Sequence, residues 1–303
     1  MIRAEGLVKR FNGFAAVDGV TFSVEPGTIL ALLGPNGAGK TTTLRMLSAI
    51  LMPTEGRAVV GGYDTRENPT AVRQQIGLLT EQPALYLRMR GGEYLEFFGQ
   101  LYGLSPTVCR QRGWEWLERF AMPEAWDRRI GEYSKGMRQK LALVRALLHD
   151  PPVLLLDEPT SAMDPHSAKL VRDAILSLRD ARRTILVCTH NLTEAELLAD
   201  EIAIIRRGQI VAQGTSAELK RQLLGPPLME LRLSASVDGV GPIVARWALV
   251  VEEGPNWIRY RADAPETVNP VILQALSAAG IPVVTLSEVP RSLESVYLRV
   301  VEG

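Results

Sequence analysis

The sequence lacks any long apolar run. No window approaches the ~18 uninterrupted apolar residues that a membrane-spanning helix requires. The first ten residues, MIRAEGLVKR, also lack the apolar stretch of a signal peptide. We therefore expect a chain that does not cross a membrane, so that any role there is that of a peripheral protein bound to another component.

The sequence also has few cysteines and no net charge. The two cysteines, Cys109 and Cys188, are far apart and lack metal-ligand spacing, which favours a reducing, cytoplasmic compartment over a disulfide framework. The 34 basic and 34 acidic side chains give zero net charge, so no overall attraction to nucleic acid is expected. Internal repeats and low-complexity tracts are absent as well. The 303 residues, 46% of them apolar, predict an ordinary globular protein with two domains.

The strongest positive signal is the glycine-rich string Gly34–Thr42, GPNGAGKTT. It follows the apolar run Ile29–Leu33 and precedes apolar residues at helical spacing, so its context is strand, glycine turn and helix. Glycines let successive backbone N–H groups point into one concavity that cradles phosphate, and the helix start adds the positive end of its dipole. A glycine turn with an incidental Lys-Thr is disfavoured, because the whole G-x-x-x-x-G-K-[ST] string stands in this context.

The P-loop assigns a role to each of its residues. Lys40 is predicted to reach the terminal phosphates as a compact cation, and the Thr41 hydroxyl to ligate Mg²⁺. The predicted ATP-binding residues of this string are Gly34, Pro35, Asn36, Gly37, Ala38, Gly39, Lys40, Thr41 and Thr42.

Two further apolar strands are predicted at Val153–Leu156 and Thr184–Thr189, each reached through a helix. Continuous apolar strands that alternate with helices indicate a parallel sheet buried on both faces, with functional groups at the carboxyl ends of its strands. Asp157, Glu158 and His190 stand at those ends.

These three side chains suit nucleotide hydrolysis. Asp157 is predicted to hold Mg²⁺ through water, and Glu158 to polarise the attacking water. His190 is predicted to donate to the γ-phosphate and to orient Glu158. Taken singly, the acid pair also suits a helix N-cap, and His190 a bond to a backbone carbonyl. The P-loop upstream and the strand-end positions favour the catalytic interpretation.

The rest of the first domain combines strands and helices. Residues 2–33 alternate like strands, which predicts an antiparallel β patch leading into the P-loop strand. Helical spacing prevails from Gly91 to about Ala125, and a helical insertion is predicted over about residues 88–147, with its aromatic stripes mostly in the core. Within it, Ser134 of the string YSKGMRQ is a candidate N-cap and a candidate anion-binding helix start.

A domain boundary is predicted near the prolines of the string RQLLGPP. The predicted domains are residues 1–222 and 223–303. The second reads β-α-β-β-α-β with a final helix, the split pattern of a small ferredoxin-like α+β domain.

Five strings, in order, resemble the motifs of the ATP-binding cassette of ABC transporters. GPNGAGKTT resembles Walker A, YSKGMRQ the signature, LLLDEP Walker B, the SAMD of Ser161–Asp164 the D-loop, and the TH of residues 189–190 the switch histidine. The resemblance covers about residues 2–220 and is specific, because other P-loop enzymes lack the signature. It implies an α/β fold: a P-loop NTPase cassette with a mixed sheet core, an antiparallel β patch and a helical subdomain.

Cassettes of this family sandwich two ATP molecules between two subunits, each ATP bound by the P-loop of one and the signature of the other. By this match Ser134 and Gly136, with Lys135 between them, form the signature that contacts the γ-phosphate in trans. Asp164 would help to link the two sites. Phe11 matches the aromatic residue that stacks on adenine, although a strand phenylalanine is core by default. The implied cofactors are ATP and Mg²⁺.

Two departures from the family pattern matter. Lys135 replaces the usual signature glycine, which resembles the cassettes of two-component drug, sodium and polysaccharide exporters, whose permease is a separate chain. The ending PRSLESVYLRVVEG resembles that group too. Aligning LLTEQP on the Q-loop puts Glu81, and not Gln82, at the usual glutamine position. The candidate Mg²⁺ ligands are therefore Thr41, Asp157, Glu81 and Gln82.

The resulting hypothesis is the ATP-hydrolysing subunit of an ABC exporter, a homodimer that binds a separate permease at the cytoplasmic face of a prokaryotic membrane. One alternative is a soluble ABC-type ATPase that acts on ribosomes, DNA or metal-cluster assembly. Translation-type members carry two cassettes per chain and repair-type members a long coiled coil, and this sequence has neither. A P-loop kinase or GTPase is disfavoured by the signature and by the lack of an NKxD-like string.

Overall fold

The structure, a computed structural model, describes residues 1–161, 163–236 and 239–302. Ala162 of the predicted D-loop, and Val237, Asp238 and Gly303 of the predicted second domain, lie outside the described residues. The chain forms two compact units, Met1–Ser216 and Ala217–Gly303. The predicted boundary at residues 222–223 falls inside a helix, Ser216–Leu224, because the prolines that suggested it only end that helix.

Ten strands form two sheets in the part of the first unit that the structure describes. They are β1 Ile2–Phe11, β2 Phe14–Val24, β3 Ile29–Leu33, β4 Glu55–Val60, β5 Tyr63–Asp64, β6 Ile76–Leu79, β7 Val153–Asp157, β8 Thr184–Thr189, β9 Glu201–Arg206 and β10 Gln209–Gly214. The antiparallel sheet has the order β2-β1-β4-β5. The six-stranded sheet has the order β10-β9-β3-β8-β7-β6 and is parallel except for its edge strand β10. The predicted mixed sheet and antiparallel β patch are therefore confirmed.

The strand register brings the functional ends together. In the central sheet β8 lies between β3 and β7, with Leu33 opposite Thr189 and Asp157 opposite Cys188. Because these parallel strands end at the same edge, the residues that follow each of them meet there. This edge carries the P-loop, Glu158 and His190.

Alternate side chains of each central strand enter different cores. Along β7, Leu154 and Leu156 pack into one buried cluster, and Val153 and Leu155 into the other. The period of two in strand geometry produces this division, and each fully buried leucine contributes about 1.5–3 kcal/mol by leaving water. Both faces of the sheet are covered, so the strand ends are held rigidly.

Helices flank the sheets of the first unit. They are α1 Lys40–Leu47, α2 Pro69–Gln75, α3 Gly91–Leu101, α4 Pro106–Arg119, α5 Lys135–Leu147, α6 Pro165–Asp180 and α7 Leu192–Leu198. The helical insertion comprises α3, α4 and α5 with two short 3-10 turns, Pro123–Trp126 and Ile130–Glu132. Its Tyr94 and Phe120 are fully buried, whereas Phe97 and Trp114 are exposed. Among the described helices, none has the length and apolar content to cross a membrane.

The second unit has the predicted ferredoxin-like order. Its elements are α8 Ser216–Leu224, whose first residue belongs to the first unit, β11 Leu228–Leu233, α9 Val240–Val244, β12 Leu249–Glu253, β13 Trp257–Arg261, α10 Pro265–Ala278, β14 Val283–Glu288 and α11 Leu293–Glu302. The antiparallel sheet has the order β12-β13-β11-β14. Ile258, Tyr260 and Leu231 of its central strands are fully buried with Ile272 and Leu276 of α10. One face of the sheet thus packs on helices to form a separate core.

Candidate active site

A cavity of about 370 Å³ opens where β3 and β7 end. Its lining comprises Phe14, Ala16, Pro35, Asn36, Gly37, Gly39, Lys40, Thr41, Thr42, Glu81, Asp157 and Glu158. The predicted ATP-binding residues of the P-loop thus line the cavity, except that Gly34 and Ala38 are buried behind it. Ala38 stabilises the loop through two backbone hydrogen bonds. Its N–H donates to the carbonyl of Pro35, and its carbonyl accepts from the N–H of Gly208.

Two P-loop glycines are required by close packing of the backbone. A Cβ on Gly34 would overlap the carbonyl oxygen of Ile205 in β9. A Cβ on Gly39 would lie 2.6 Å from the carbonyl oxygen of Ala16, and Gly39 also has a φ of +107°. Larger residues would therefore push the loop away from the sheet and open the phosphate cradle.

Lys40 is held inside the loop by its own backbone. Its Nζ donates to the carbonyl oxygens of Gly34 at 2.6 Å and Pro35 at 3.2 Å. The same nitrogen lies 3.9 Å from Oε1 of Glu158, and the side chain is 6% exposed. These acceptors compensate the burial of the ammonium group. The charge is therefore available at the cavity, where a phosphate would compete with the carbonyls for it.

Thr41 and Asp157 form the candidate metal centre. Thr41 Oγ1 donates to Oδ2 of Asp157 at 2.8 Å. The other carboxylate oxygen, Oδ1, is buried without a hydrogen-bond partner among the described residues. Burial raises the pKa of Asp157. The hydrogen bond from Thr41 opposes this rise, and the nearby charges of Glu158 and Glu81 add to it. A buried carboxylate oxygen that lacks a partner, beside a hydroxyl and a second acid, fits Mg²⁺, which binds oxygen ligands.

The structure separates the two candidate Q-loop residues. Glu81 lines the cavity, whereas Gln82 is exposed and outside its lining. Glu81 follows the end of β6, the strand that pairs with the strand carrying Asp157. Of the two, Glu81 is therefore the residue positioned near the candidate metal ligands.

Glu158 is fixed by its backbone and by the segment after β8. Its N–H donates to the Cys188 carbonyl at 2.8 Å, and its carbonyl accepts from Nε2 of Gln139 at 3.3 Å. Oε1 accepts from the backbone N–H of His190 at 3.0 Å and lies 2.7 Å from the ring Nδ1. Since an ionised carboxylate only accepts, this contact puts the ring proton on Nδ1. Glu158 is 6% exposed and reaches the cavity, while the His190 side chain is 56% exposed.

The predicted signature and D-loop residues do not line this cavity. Ser134, as predicted, caps α5, with its Oγ accepting from Met137 N at 3.2 Å. Asp164 caps α6 in the same way, since its Oδ1 accepts from Ser167 N at 3.0 Å. Ser134, Lys135 and Asp164 are exposed and Gly136 is half-buried. Each helix is therefore capped by a side chain of its own segment, and the polar groups at its start lie on the surface.

The aromatic residue at the cavity is Phe14, which the sequence analysis missed. Phe14 is 69% exposed and lines the cavity, whereas Phe11 does not line it and lies under Nζ of Lys9 at 5.2 Å. The two phenylalanines pair directly across the turn between β1 and β2. The available signal was an aromatic residue directly after the dipeptide Asn12-Gly13, which is typical of a tight hairpin turn.

Known proteins resemble the chain in both sequence and fold. A model of the ABC transporter family matches residues 17–161. The daunorubicin/doxorubicin resistance ATP-binding protein DrrA of Streptomyces peucetius is 37% identical, over 98% of this chain and 91% of that protein. The solved structure of an ATP-binding subunit of an ABC transporter is 30% identical, with a TM-score of 0.69, and the match covers 74% of this chain and 94% of the other.

A second solved structure shares the fold at lower identity. It is the dimeric post-hydrolysis state of the ATP-binding cassette MJ0796 bound to ADP and Pi, at 23% identity and a TM-score of 0.66, covering 71% of this chain and 98% of the other. The cassette fold thus agrees with the family model and with a relative that spans nearly the whole sequence. With a P-loop, two acids and a histidine at one sheet edge, the chain belongs to the ABC transporter family, as an ATP-binding subunit that hydrolyses ATP.

Proposed function

We propose that two copies of this chain drive an exporter whose permease is a separate protein in the cell membrane. ATP binding closes the two copies over two nucleotides, hydrolysis reopens them, and the helical insertion passes the motion to the permease. The observation that carries the proposal is the convergence of Lys40, Asp157 and Glu158 on one cavity, with the predicted signature on the surface outside it. The name of the relative DrrA, a drug-resistance protein, supports export.

The P-loop residues bind the triphosphate. Backbone N–H groups around Gly37 and Gly39 donate hydrogen bonds to phosphate oxygens at the start of α1. Lys40 exchanges its backbone acceptors for the terminal phosphates. Thr41, Asp157 and Glu81 are the residues that would hold Mg²⁺, which neutralises phosphate charge as the terminal group is transferred. The partnerless Oδ1 of Asp157 supports this assignment.

Glu158 and His190 have separate roles in the hydrolysis step. Glu158 accepts a proton from the attacking water, and its carboxylate reaches the cavity for that purpose. His190 holds Glu158 through Oε1 and, on nucleotide binding, turns to donate to the γ-phosphate. Because the imidazole makes both contacts, its turn to the phosphate frees Oε1 of Glu158 from the ring, while the backbone N–H of His190 still holds that oxygen.

The second copy completes each site. The start of α5 presents Ser134, Lys135 and Gly136 at the surface, where N–H groups and the helix dipole favour an anion. We assign these residues to the γ-phosphate held by the partner, and Asp164 to the contact between the two sites. A cassette of the same fold forms a dimer in its solved structure, which is consistent with this arrangement.

The decisive test replaces Glu158 by Gln in the full-length chain. Turnover of Mg-ATP should fall at least about 10²-fold, because the proton acceptor is lost, while ATP binding persists. An ATP-bound dimer should therefore accumulate on a sizing column coupled to light scattering. Glu118→Gln, at an exposed position on α4, is the matched control and should behave like the unmodified protein. Retained hydrolysis in Glu158→Gln, or a chain that stays monomeric with Mg-ATP, would contradict the proposal.

The permease is tested separately. A tagged chain expressed in its own cell should copurify with a multi-span membrane protein after detergent extraction. Recovery with ribosomes, nucleic acid or metal-cluster proteins instead would favour the soluble ABC-type ATPase.

A further inference from the structure

Glu194 is a buried carboxylate that the hydrolysis mechanism leaves without a role. It lies in the first turn of α7 and is 2% exposed. Both of its oxygens accept short hydrogen bonds at 2.6 Å, Oε1 from Thr160 Oγ1 and Oε2 from Thr189 Oγ1. Burial raises the pKa of Glu194, and these two hydroxyls oppose the rise. A carboxylate is expensive to bury, so the two threonines are what make this position tolerable for it.

The two threonines belong to different catalytic segments. Thr160 follows Glu158 by two residues, on the way to the Asp164 cap of α6. Thr189 ends β8 directly before His190. Glu194 therefore links the segment that carries the proton acceptor to the segment that carries the histidine. We call this set, Thr160, Glu194 and Thr189, the carboxylate bridge.

The bridge differs from the direct contact between the two segments. Glu158 and His190 touch each other through Oε1 and Nδ1, the groups that must turn to water and phosphate during hydrolysis. None of the three residues of the bridge is needed for those contacts. The bridge can thus persist while the direct contact is broken, and it keeps the segments at a fixed spacing.

Glu194 also determines which acceptor binds the hydroxyl proton of Thr189. Oγ1 of Thr189 lies 2.6 Å from Glu194 and 3.5 Å from Oε2 of Glu158, and it accepts from the N–H of Asn191 at 3.0 Å. A hydroxyl has a single proton, and the shorter contact takes it. Glu194 therefore draws the hydroxyl away from Glu158 and leaves Oε2 free to accept.

We propose that Glu194 is a positioning residue for ATP hydrolysis: by binding Thr160 and Thr189 together, it keeps Glu158 and His190 in register while both side chains turn to the substrate. The inference rests on the proposed catalytic role of Glu158. It assigns no contact with nucleotide to Glu194 itself, so it concerns the rate of hydrolysis and leaves ATP binding unchanged.

Two variants break the bridge, one at its central carboxylate and one at its Thr160 end. Glu194→Gln keeps the volume of the side chain but offers one acceptor oxygen, so one threonine loses its acceptor. Thr160→Val keeps the shape of Thr160 and removes its hydroxyl. Thr160→Ser restores a hydroxyl and serves as the conservative rescue. Thr193→Val, an exposed neighbour of Glu194 on α7, is the matched control.

The test measures steady-state ATP hydrolysis by the full-length chain, with thermal unfolding to confirm the fold of each variant. In Glu194→Gln and Thr160→Val, kcat should fall about 10- to 100-fold, as when an outer hydrogen-bond partner of a catalytic group is removed. KM for ATP should stay within about threefold, because no ground-state contact changes. The double variant should be no slower than the slower single variant, since both remove one link. Thr160→Ser and Thr193→Val should match the unmodified protein.

Three results would overturn the inference: kcat retained in both variants, a fall in kcat matched by an equal loss of ATP affinity, or effects that multiply in the double variant. If Glu194→Gln does not fold, the Thr160→Val and Thr160→Ser pair decides alone. Glu158→Gln measured in parallel separates the two proposals. Unchanged hydrolysis in that variant rejects the catalytic role of Glu158, whereas an inactive Glu158→Gln beside fully active bridge variants rejects only the bridge.

Discussion

His190 binds Glu158 twice, through the ring Nδ1 at 2.7 Å and through the backbone N–H at 3.0 Å, and both contacts meet the same oxygen, Oε1. The backbone bond is independent of the histidine side chain. Removal of the imidazole therefore leaves Glu158 attached to the β8 segment but without the group that can change partners. A substitution of the ring can therefore test its chemical role while Glu158 stays bound to the backbone of His190.

For His190→Ala we expect kcat to fall about 10²- to 10³-fold, the usual loss when a donor to developing charge is removed, with ATP affinity little changed. Hydrolysis rates and equilibrium ATP binding by the full-length chain measure the two effects. His166→Ala, at an exposed position on α6, is the matched control. A His190→Ala chain that hydrolyses ATP at the unmodified rate would exclude the histidine from the chemistry.

Asp157→Asn tests the candidate metal centre. Asn removes the negative charge that would hold Mg²⁺, so the Mg²⁺ concentration for half-maximal hydrolysis should rise and the rate should fall. Without nucleotide the variant should be more stable, because burial disfavours the charged form of Asp157 and the Asn side chain is neutral. Mg²⁺ titrations and urea unfolding measure these changes. An unaltered Mg²⁺ requirement would argue against Asp157 as a ligand.

Mixing two inactive variants tests whether the signature acts across a dimer. Lys40→Ala loses the P-loop cation and Ser134→Ala loses the signature hydroxyl, so each variant alone should be inactive. A mixed dimer with sites formed in trans has one site that combines the intact Lys40 with the intact Ser134. Statistical mixing should then restore about one quarter of the normal rate if sites work independently.

The same mixture distinguishes the alternative. If Lys40 and Ser134 acted within one chain, every site in the mixture would carry a defect and no activity would return. Ser134→Ala also removes the α5 cap, which typically costs about 1 kcal/mol, so its fold is checked by thermal unfolding before mixing.

Tyr133 provides a pH-dependent test of packing beside the signature. Its hydroxyl donates to the carbonyl of Ala125, and burial raises its pKa from 10.0 to about 12. Above pH 10.0 the unfolded chain releases this proton while the folded chain keeps it until about pH 12, so the unfolded state gains stability. The free energy of unfolding should fall by about 1.4 kcal/mol per pH unit for this group, and the effect is absent below that window.

Tyr133→Phe removes this titration and should flatten the alkaline fall in stability measured by urea unfolding. The fall will not vanish, because burial also raises the pKa of Tyr260, in the second unit, to about 12. Curves of equal slope for Tyr133→Phe and the unmodified chain would show that the tyrosine is not buried in solution.

The P-loop and the strand-end acids were predictable because local chemistry determines them. A glycine string between a strand and a helix can adopt few conformations, and unbroken apolar strands such as β7 and β8 must lie side by side in a buried sheet. Once the sheet is parallel, residues after its strands share one edge. Asp157, Glu158 and His190 could therefore be placed together without the structure.

Other features depend on packing that local sequence does not encode. Phe11 and Phe14 stand on either side of one turn, and only the folded structure shows that Phe14 lines the cavity. Glu194 resembles any acid near a helix start until the structure shows it buried under two threonines. The domain boundary was misplaced because prolines mark where a helix ends, and not which core it packs against.

Glu158 has a positive φ of 50°, a left-handed backbone conformation that glycine adopts freely and that costs other residues about 1–2 kcal/mol. It also keeps its carboxylate largely out of water. Selection for higher thermal stability would therefore favour Gly or Asn at position 158. Each of these substitutions would remove the carboxylate and with it ATP hydrolysis. Stability and turnover are therefore opposed at Glu158, as they are at the neighbouring Asp157.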